Sequence, residues 1–310
     1  LNCRKRYQVD EWDQRSRVIN LPALVSAVKR NDLVFGWFAS WHTLFPAGLA
    51  RILKRPMVLV VGGYDTANLP EIQYGSQRKA HTKYIANATM HFATCVSVFS
   101  RYSYDDAVQN AGLEPSKMQL IYLGVPHENY SRNRKEKLIL TVSNVDRGNL
   151  QRKGLEPFVR AASLIPEWEF AIIGAWRDDA IRQLQALASP NVRFTGWLNQ
   201  DQLRDYFSRA AVYVQASRHE GFGLAVAEAM LHECVPVVTR VGALPEVVDQ
   251  CGVYIDSPEP SDIADGVRRA MTLAETLGPR ARERIMSQFP LGRRGELLYQ
   301  TIDAILGQDG

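Results

Sequence analysis

Runs of four to six apolar residues recur along the chain, each followed by a longer stretch whose apolar positions return at helical spacing. Buried parallel strands with crossover helices read this way, because a strand covered on both faces needs apolar side chains on both, whereas its helix needs only one stripe. The strand candidates of the first part are LVFGWF (33–38), MVLVVGG (57–63), ATCVSVF (93–99) and MQLIYLG (118–124). Those of the second are KLILTVSN (137–144), EFAIIGA (169–175), VRFTG (192–196), AVYVQAS (211–217), VPVVTR (235–240) and GVYID (252–256). Leu203, Tyr206, Phe207 and Ala210 predict one helix face, and Ile263, Val267, Ala270, Met271 and Ala274 another, with Ser261 as its N-cap. GELLYQTIDAIL (295–306) predicts a closing helix, and the polar ENYSRNRKEK (128–137) a linker. The pattern as a whole predicts an α/β protein with a domain over residues 1–130, a second over 131–290 and the helix in 291–310.

The beginning departs from this rhythm. One short strand is expected at about Tyr7 to Trp12 and a helix near Leu21 to Lys29, and no glycine precedes Gly36, so no Gly-rich phosphate loop opens the chain.

Length supports the division, since 310 residues exceed what one core comfortably fills. A hydrophobic content of 46% with 23% charged residues is that of an ordinary globular protein and excludes disorder on a large scale. The cysteines, at 3, 95, 234 and 251, form no Cys-x-x-Cys pair, which argues against a zinc site or a disulfide framework and fits a reducing cytoplasm. The longest apolar approach to a membrane span, VFGWFASWHTLFPAGLA, is interrupted by His42 and Pro46, and no signal peptide is visible. Charge is uneven: residues 1–137 hold 19 Lys and Arg against 11 Asp and Glu, a net of +8, and the remainder 18 against 22, a net of −4. A basic first half attracts nucleic acid, anionic lipid or a phosphorylated substrate, or is simply a solvated basic face.

The chemistry concentrates in QASRHEGFGLAVAEAML (215–231), a strand end, a loop and a helix. Ligands of open parallel sheets bind beyond the carboxyl ends of strands, and Gly221 and Gly223 leave backbone N–H groups unobstructed at the helix start, where the dipole favours an anion. Glu228, about one and a half turns into the helix, is suited to accept hydrogen bonds from the hydroxyls of a ribose, and Glu220 to meet a sugar at the other end of a diphosphate. A helix with an exposed Glu is the ordinary alternative for either residue.

Several ordered segments extend the signal: LILTVSNVDRGNLQRKGLEPFVRAA, FAIIGA, VRFTGWLNQDQLRDYFSRAAVYVQAS, HEGFGLAVAEAM and VPVVTRVGALPEVV. With these the chain resembles the retaining glycosyltransferases of family 4 over residues 85–275, and more loosely over 17–84. The resemblance implies the GT-B fold, two Rossmann-like domains facing across a cleft, with the donor held mainly by the second domain and the acceptor by the first. It implies transfer of a hexosyl unit from a nucleotide diphosphate sugar, a UDP- or GDP-sugar, with retention at the anomeric carbon and without a cofactor. Glu228 then binds the ribose and Glu220 the donor sugar, Gly221, Phe222, Gly223 and Leu224 give backbone contacts, and Lys153 binds the diphosphate. The arginine beside that lysine is Arg147, with Arg152 in reserve, because the family's Gly-Arg-Leu spacing is altered in NVDRGNLQRKG.

A growing diphosphate charge can be met by Arg147, Lys153 and the helix N-terminus, and no Asp-x-Asp is present, RDDA (177–180) reading as an exposed helix start, so no metal is expected. Asp65, closing VVGGYD, is either an acid near the donor sugar and so a catalytic candidate with Glu220, or a turn cap. His42 contacts acceptor or caps a helix. Glu246, in a variant of the family's Gly-Gly-Leu-Pro-Glu element, lies near the donor base or is structural. The resemblance further implies a closing helix that crosses back to the first domain.

The family's usual first strand and Gly-rich loop find no counterpart, so either the chain is truncated at its start or its N-terminal domain is a compact variant. That departure keeps two other readings open, a nucleotide-sugar-binding protein without turnover and a sugar-nucleotide epimerase of the same architecture. The basic first half fits an anionic or lipid-linked acceptor and peripheral contact with the inner membrane face; nucleic acid is not expected as a partner.

Overall fold

The computed structural model describes residues 6–13, 18–126 and 134–307 and contains the ten expected strands, all in parallel ladders. The chain divides into two units, Leu1–Tyr122 with Gly292–Gly310, and Leu123–Leu291.

The first unit holds a four-stranded sheet in the order β1 (Val34–Trp37), β2 (Met57–Val60), β3 (Cys95–Val98), β4 (Met118–Leu120). Its helices are α1 (Leu21–Arg30), α2 (Trp41–Ile52), the single turn α3 (Gly63–Thr66), α4 (Ala80–Phe92) and α5 (Arg101–Ala111). Every residue of β2 and β3 is buried, as expected of apolar runs that Ser97 alone interrupts. Leu59, Val96 and Val98 join Ala47 and Ala50 of α2 and Ala86 and Met90 of α4 in one core. Val58 and Cys95 instead join Ile302, on the closing helix.

The second unit contains β5 (Glu136–Val142), α6 (Arg147–Arg152), α7 (Leu155–Ala162), β6 (Glu169–Ile173), α8 (Ala180–Leu187), β7 (Val192–Gly196), α9 (Gln200–Arg209) and β8 (Ala210–Gln215). It continues through α10 (Leu224–Leu231), β9 (Val235–Thr239), α11 (Leu244–Val248), β10 (Val253–Ile255), α12 (Pro260–Thr272) and α13 (Ala274–Gln288), and the chain closes with α14 (Leu291–Gly307). The sheet order is β10-β9-β8-β5-β6-β7. From β5 the chain winds outward through β6 and β7, then returns to lay β8 on the other side of β5, so the winding direction reverses between β5 and β8. Such a reversal leaves a crevice beyond the carboxyl ends of the two central strands.

Three local expectations are corrected. Residues 7–12 form no strand; their side chains serve helices, Tyr7 donating to Asp303 at 2.7 Å and Asp10 pairing with Arg30. The N-cap of α12 is Glu259 rather than Ser261, because Pro260 takes the first helical position, where its missing N–H costs nothing. Ala210 opens β8 instead of closing α9. Of the expected linker, residues 128–133 lie outside the described residues, and Glu136 and Lys137 already belong to β5. Cys95, Cys234 and Cys251 are buried free thiols, and Cys3 lies outside the described residues. Among the described residues no helix is long and apolar enough to cross a membrane.

Candidate functional site

The strands on either side of the reversal each end in a loop carrying one of the predicted charged residues. After β5, Asp146 caps α6 by accepting from the Asn149 N–H at 2.8 Å, and the helix ends at Lys153. Gly154 follows in the left-handed region, φ 65°, and a Cβ there would stand 2.2 Å from the Ala216 carbonyl oxygen, so only glycine lets this loop reach the end of β8. The Arg218 N–H donates to the Arg152 carbonyl at 2.8 Å and stitches the two loops together.

After β8 the chain runs through Glu220 and Gly221 to Gly223, which caps α10 with φ 93°. A third loop secures this turn. The Ala243 N–H donates to the Glu220 carbonyl at 2.9 Å, and Gly242, with φ 56°, lies so close that a Cβ would be 2.1 Å from the same oxygen. Phe222 is buried edge-on against Phe289 with ring centroids 5.4 Å apart, so its side chain is an anchor and only its backbone faces the turn. Leu224, the first residue of α10, is exposed.

This stitching brings Lys153 Nζ against Glu220 Oε2 in an ion pair whose side chains are only 15% and 14% exposed. Glu228, half-buried, has its pKa raised by burial, with Arg204 opposing. Its carboxylate accepts no hydrogen bond among the described residues, which leaves acceptor capacity on a partly desolvated anion.

Beneath these acids lies a buried polar row that the sequence reading did not single out. Tyr213, Gln215 and Ser217 alternate along one face of β8 and its extension, Tyr213 donating to Gln215 at 3.0 Å and Gln215 to Ser217 at 2.6 Å. Burial pushes the Tyr213 phenol up, and the charges of Glu220 and Glu228 push the same way. His219 is buried and pushed down to about 4, chiefly by burial, with Glu220 opposing and Arg152 and Lys153 reinforcing. It is neutral at pH 7. The signal for the row was present as polar residues at period two inside an apolar run.

Arg147 and Arg152 part company. The Arg147 guanidinium is exposed and clamps Asp179 at 2.9 Å through both carboxylate oxygens, and its N–H donates to Asp178 at 3.0 Å. Arg152 adjoins Lys153, donates to Asn149 and bears electrostatically on His219. Glu246 lies half-buried in the first turn of α11, and its carbonyl accepts from Arg284 at 2.6 Å.

In the first unit Asp65 is buried, and its oxygens accept from the Gly62 N–H at 2.6 Å and the Ala39 N–H at 3.2 Å, bracing the chain just past β2 and β1. Burial raises its pKa to about 6 against those two hydrogen bonds. Its own carbonyl accepts from Ser76 and Gln77. These contacts match the cap reading of Asp65. His42, half-buried in the first turn of α2, shares a hydrogen bond with the capping Ser40. Among the described residues no three His, Cys, Asp or Glu side chains gather as metal ligands.

Comparison with known proteins places the chain's fold, and a family model matches less than half of its sequence. Residues 136–272 match the family model described as Glycosyl transferases group 1. The chain is 28% identical over 284 residues to sulfoquinovosyl transferase of Arabidopsis thaliana, covering 84% of this chain and 53% of that protein. It spans about half the length of the curated relatives it matches. The Anabaena HepE structure in complex with UDP and glucose superposes with a TM-score of 0.79 at 18% identity, over 91% of this chain and 80% of the other. Sucrose-phosphate synthase of Thermosynechococcus elongatus does so with a TM-score of 0.75 at 20% identity, over 93% and 78%. The fold is GT-B, with two Rossmann-like units.

Proposed function

We propose that this chain is part or all of a retaining glycosyltransferase that moves a hexosyl unit from a nucleoside diphosphate sugar to an acceptor hydroxyl without a metal. The observation that carries the proposal is the Lys153–Glu220 pair at the winding reversal, beside the N-terminus of α10 and the unpaired Glu228 carboxylate. The donor's diphosphate lies against Lys153, Arg152 and the N–H groups of Gly221 to Leu224; Glu228 takes the ribose hydroxyls, and Glu220 those of the sugar. Arg152 is preferred over Arg147, whose guanidinium is committed to Asp179. The bond from the anomeric carbon to the diphosphate oxygen breaks, the acceptor oxygen bonds to the same face, and its proton passes to the departing diphosphate. Lys153, Arg152 and the helix N-terminus stabilise the charge that develops on that group, which is the work a metal performs elsewhere. The UDP and glucose named with HepE favour uracil as the base. The acceptor is anionic or lipid-linked, and the protein works in the cytoplasm, meeting that acceptor at the inner membrane face.

Replacing Glu228 by Ala removes two charge-assisted hydrogen bonds to the ribose and is expected to weaken UDP binding by about 2–4 kcal/mol. Calorimetry on the folded variant measures this, and an unchanged affinity excludes the ribose assignment. Release of free nucleoside diphosphate from a panel of donors separates turnover from binding alone: tight binding with no release from any donor and acceptor pair makes the chain a binder.

A further inference from the structure

The first unit carries an apolar groove of about 300 Å³ whose walls come from α1, α2 and α4, far in sequence from the donor residues. Leu21, Phe45, Leu49, Ile52, Tyr84 and Phe92 line it. Several of these are left to solvent to an unusual degree: Ile52 is 75% exposed, Tyr84 74%, and Leu21 and Phe45 49% each. Single exposed apolar residues need no explanation, but a contiguous set on adjoining helices does.

Charge says what covers it. The three helices read LPALVSAVKR, WHTLFPAGLARI and AHTKYIANATMHF, and none contains an acidic residue. Arg51 and Lys54 stand at the end of α2, and Lys79 and Lys83 at the start of α4. All four are exposed, and none is in an ion pair among the described residues. A protein partner needs acids opposite those cations and a fitted surface over the groove. A second copy of this face would set the same cations against each other. An anionic bilayer satisfies both features at once, taking apolar side chains below the headgroups while lysine and arginine stay at the level of the phosphates.

We infer that the α1, α2 and α4 face docks on the surface of an anionic bilayer, with Phe45, Ile52 and Tyr84 inserted and Arg51, Lys54, Lys79 and Lys83 held at the headgroups. This gives the membrane contact proposed above a place. It rests on that part of the reading only, because vesicle binding is measured without a nucleotide sugar and stands or falls apart from the donor site. Docking through helices of the first unit would bring a lipid-linked acceptor to the enzyme by confining both to two dimensions.

The test is cosedimentation of the 310-residue chain with vesicles of phosphatidylcholine alone and of phosphatidylcholine with phosphatidylglycerol in equal parts. Binding is expected only to the anionic vesicles and is expected to fall as salt rises. The Ile52→Ser and Phe45→Ser variants are each expected to lose roughly tenfold in partitioning, and Arg51→Gln with Lys54→Gln roughly thirtyfold. Val108→Ser, an exposed apolar position on α5, is expected to change nothing. Circular dichroism confirms that each variant is folded, and the charge variant, which removes no packed side chain, keeps the test open if an apolar variant fails to fold. The inference is overturned if the wild-type chain ignores anionic vesicles or if the groove and charge variants bind as well as wild type. A dimer in light scattering that Ile52→Ser dissolves also overturns it, and assigns the face to a second copy.

Discussion

Removing either partner of the Lys153–Glu220 pair should have opposite consequences for nucleotide binding and the same consequence for stability. Both side chains are about one-seventh exposed, 15% and 14%, so each ion has given up much of its hydration and depends on the other. Breaking a fully buried pair by deleting one partner costs about 3–5 kcal/mol; the remaining exposure here allows partial rehydration, so about 2–3 kcal/mol is expected for Lys153→Met or Glu220→Gln. The double variant leaves no orphaned charge and should recover a large part of that loss, giving a coupling of about 1–2 kcal/mol in a four-protein cycle read by urea unfolding. Nucleotide affinity separates the two. Lys153→Met removes a charge-assisted hydrogen bond to the diphosphate, and UDP should bind roughly 10–150-fold more weakly. Glu220→Gln frees the lysine from its internal competitor, so UDP itself should bind as well or better, while a UDP-sugar loses the advantage its sugar confers. Calorimetry with UDP and with UDP-glucose on the same proteins reads both. Equal weakening of UDP by the two variants would refute the arrangement, as would a coupling within about 0.5 kcal/mol of zero.

Two further outcomes are expected. Arg152→Ala should weaken UDP binding roughly tenfold or more, whereas Arg147→Ala should leave it unchanged because that guanidinium is turned to Asp179; calorimetry showing the reverse order restores Arg147 to the diphosphate. Asp65 binds its proton more tightly folded, with a pKa raised from 3.8 to about 6, so its contribution to stability is present in acid and is lost as pH rises from about 4 to about 6. His219, pushed down to about 4, contributes the opposite slope over much the same range, so the wild-type profile conceals both. The difference between Asp65→Asn and wild type isolates the carboxylate: the variant should gain in relative stability as pH rises, by about 2–3 kcal/mol, and a difference independent of pH in urea unfolding contradicts the burial assigned to Asp65.

The strands were legible because burial on both faces leaves a mark that needs no partner to be read. MVLV and CVSV are buried at every position, and a run of that kind fits few other places in a protein of this size. Helix ends were less legible. Ser261 is the better N-cap by residue type, yet Pro260 takes the first helical position and moves the cap to Glu259, a choice made by backbone geometry rather than side-chain preference. Residues 7–10 alternate as a strand does, but a strand exists only where a neighbour offers a ladder; the side chains of Tyr7 and Asp10 meet Asp303 on α14 and Arg30 on α1, contacts that no local pattern can announce.

The candidate site shows the same boundary more sharply. Glu220, Gly223 and Glu228 could be placed from the sequence because a single strand, loop and helix determines their relation. Pairing Glu220 with Lys153 required the order of the sheet, since only the return of β8 to the flank of β5 brings the two loops together. Arg147 and Arg152 illustrate what spacing leaves undetermined: both lie on α6, five residues apart and so on different sides of a helix with 3.6 residues per turn. Which of them faces the reversal depends on where the helix begins, and Asp146 fixes that by capping Asn149. With the first turn so set, Arg147 meets Asp179 in the loop after β6, and Arg152 falls beside Lys153 where the Arg218 N–H holds its carbonyl. An altered cap should therefore move the arginines together, because the Asp146 carboxylate holds the first turn by accepting from both the backbone and the side-chain N–H of Asn149.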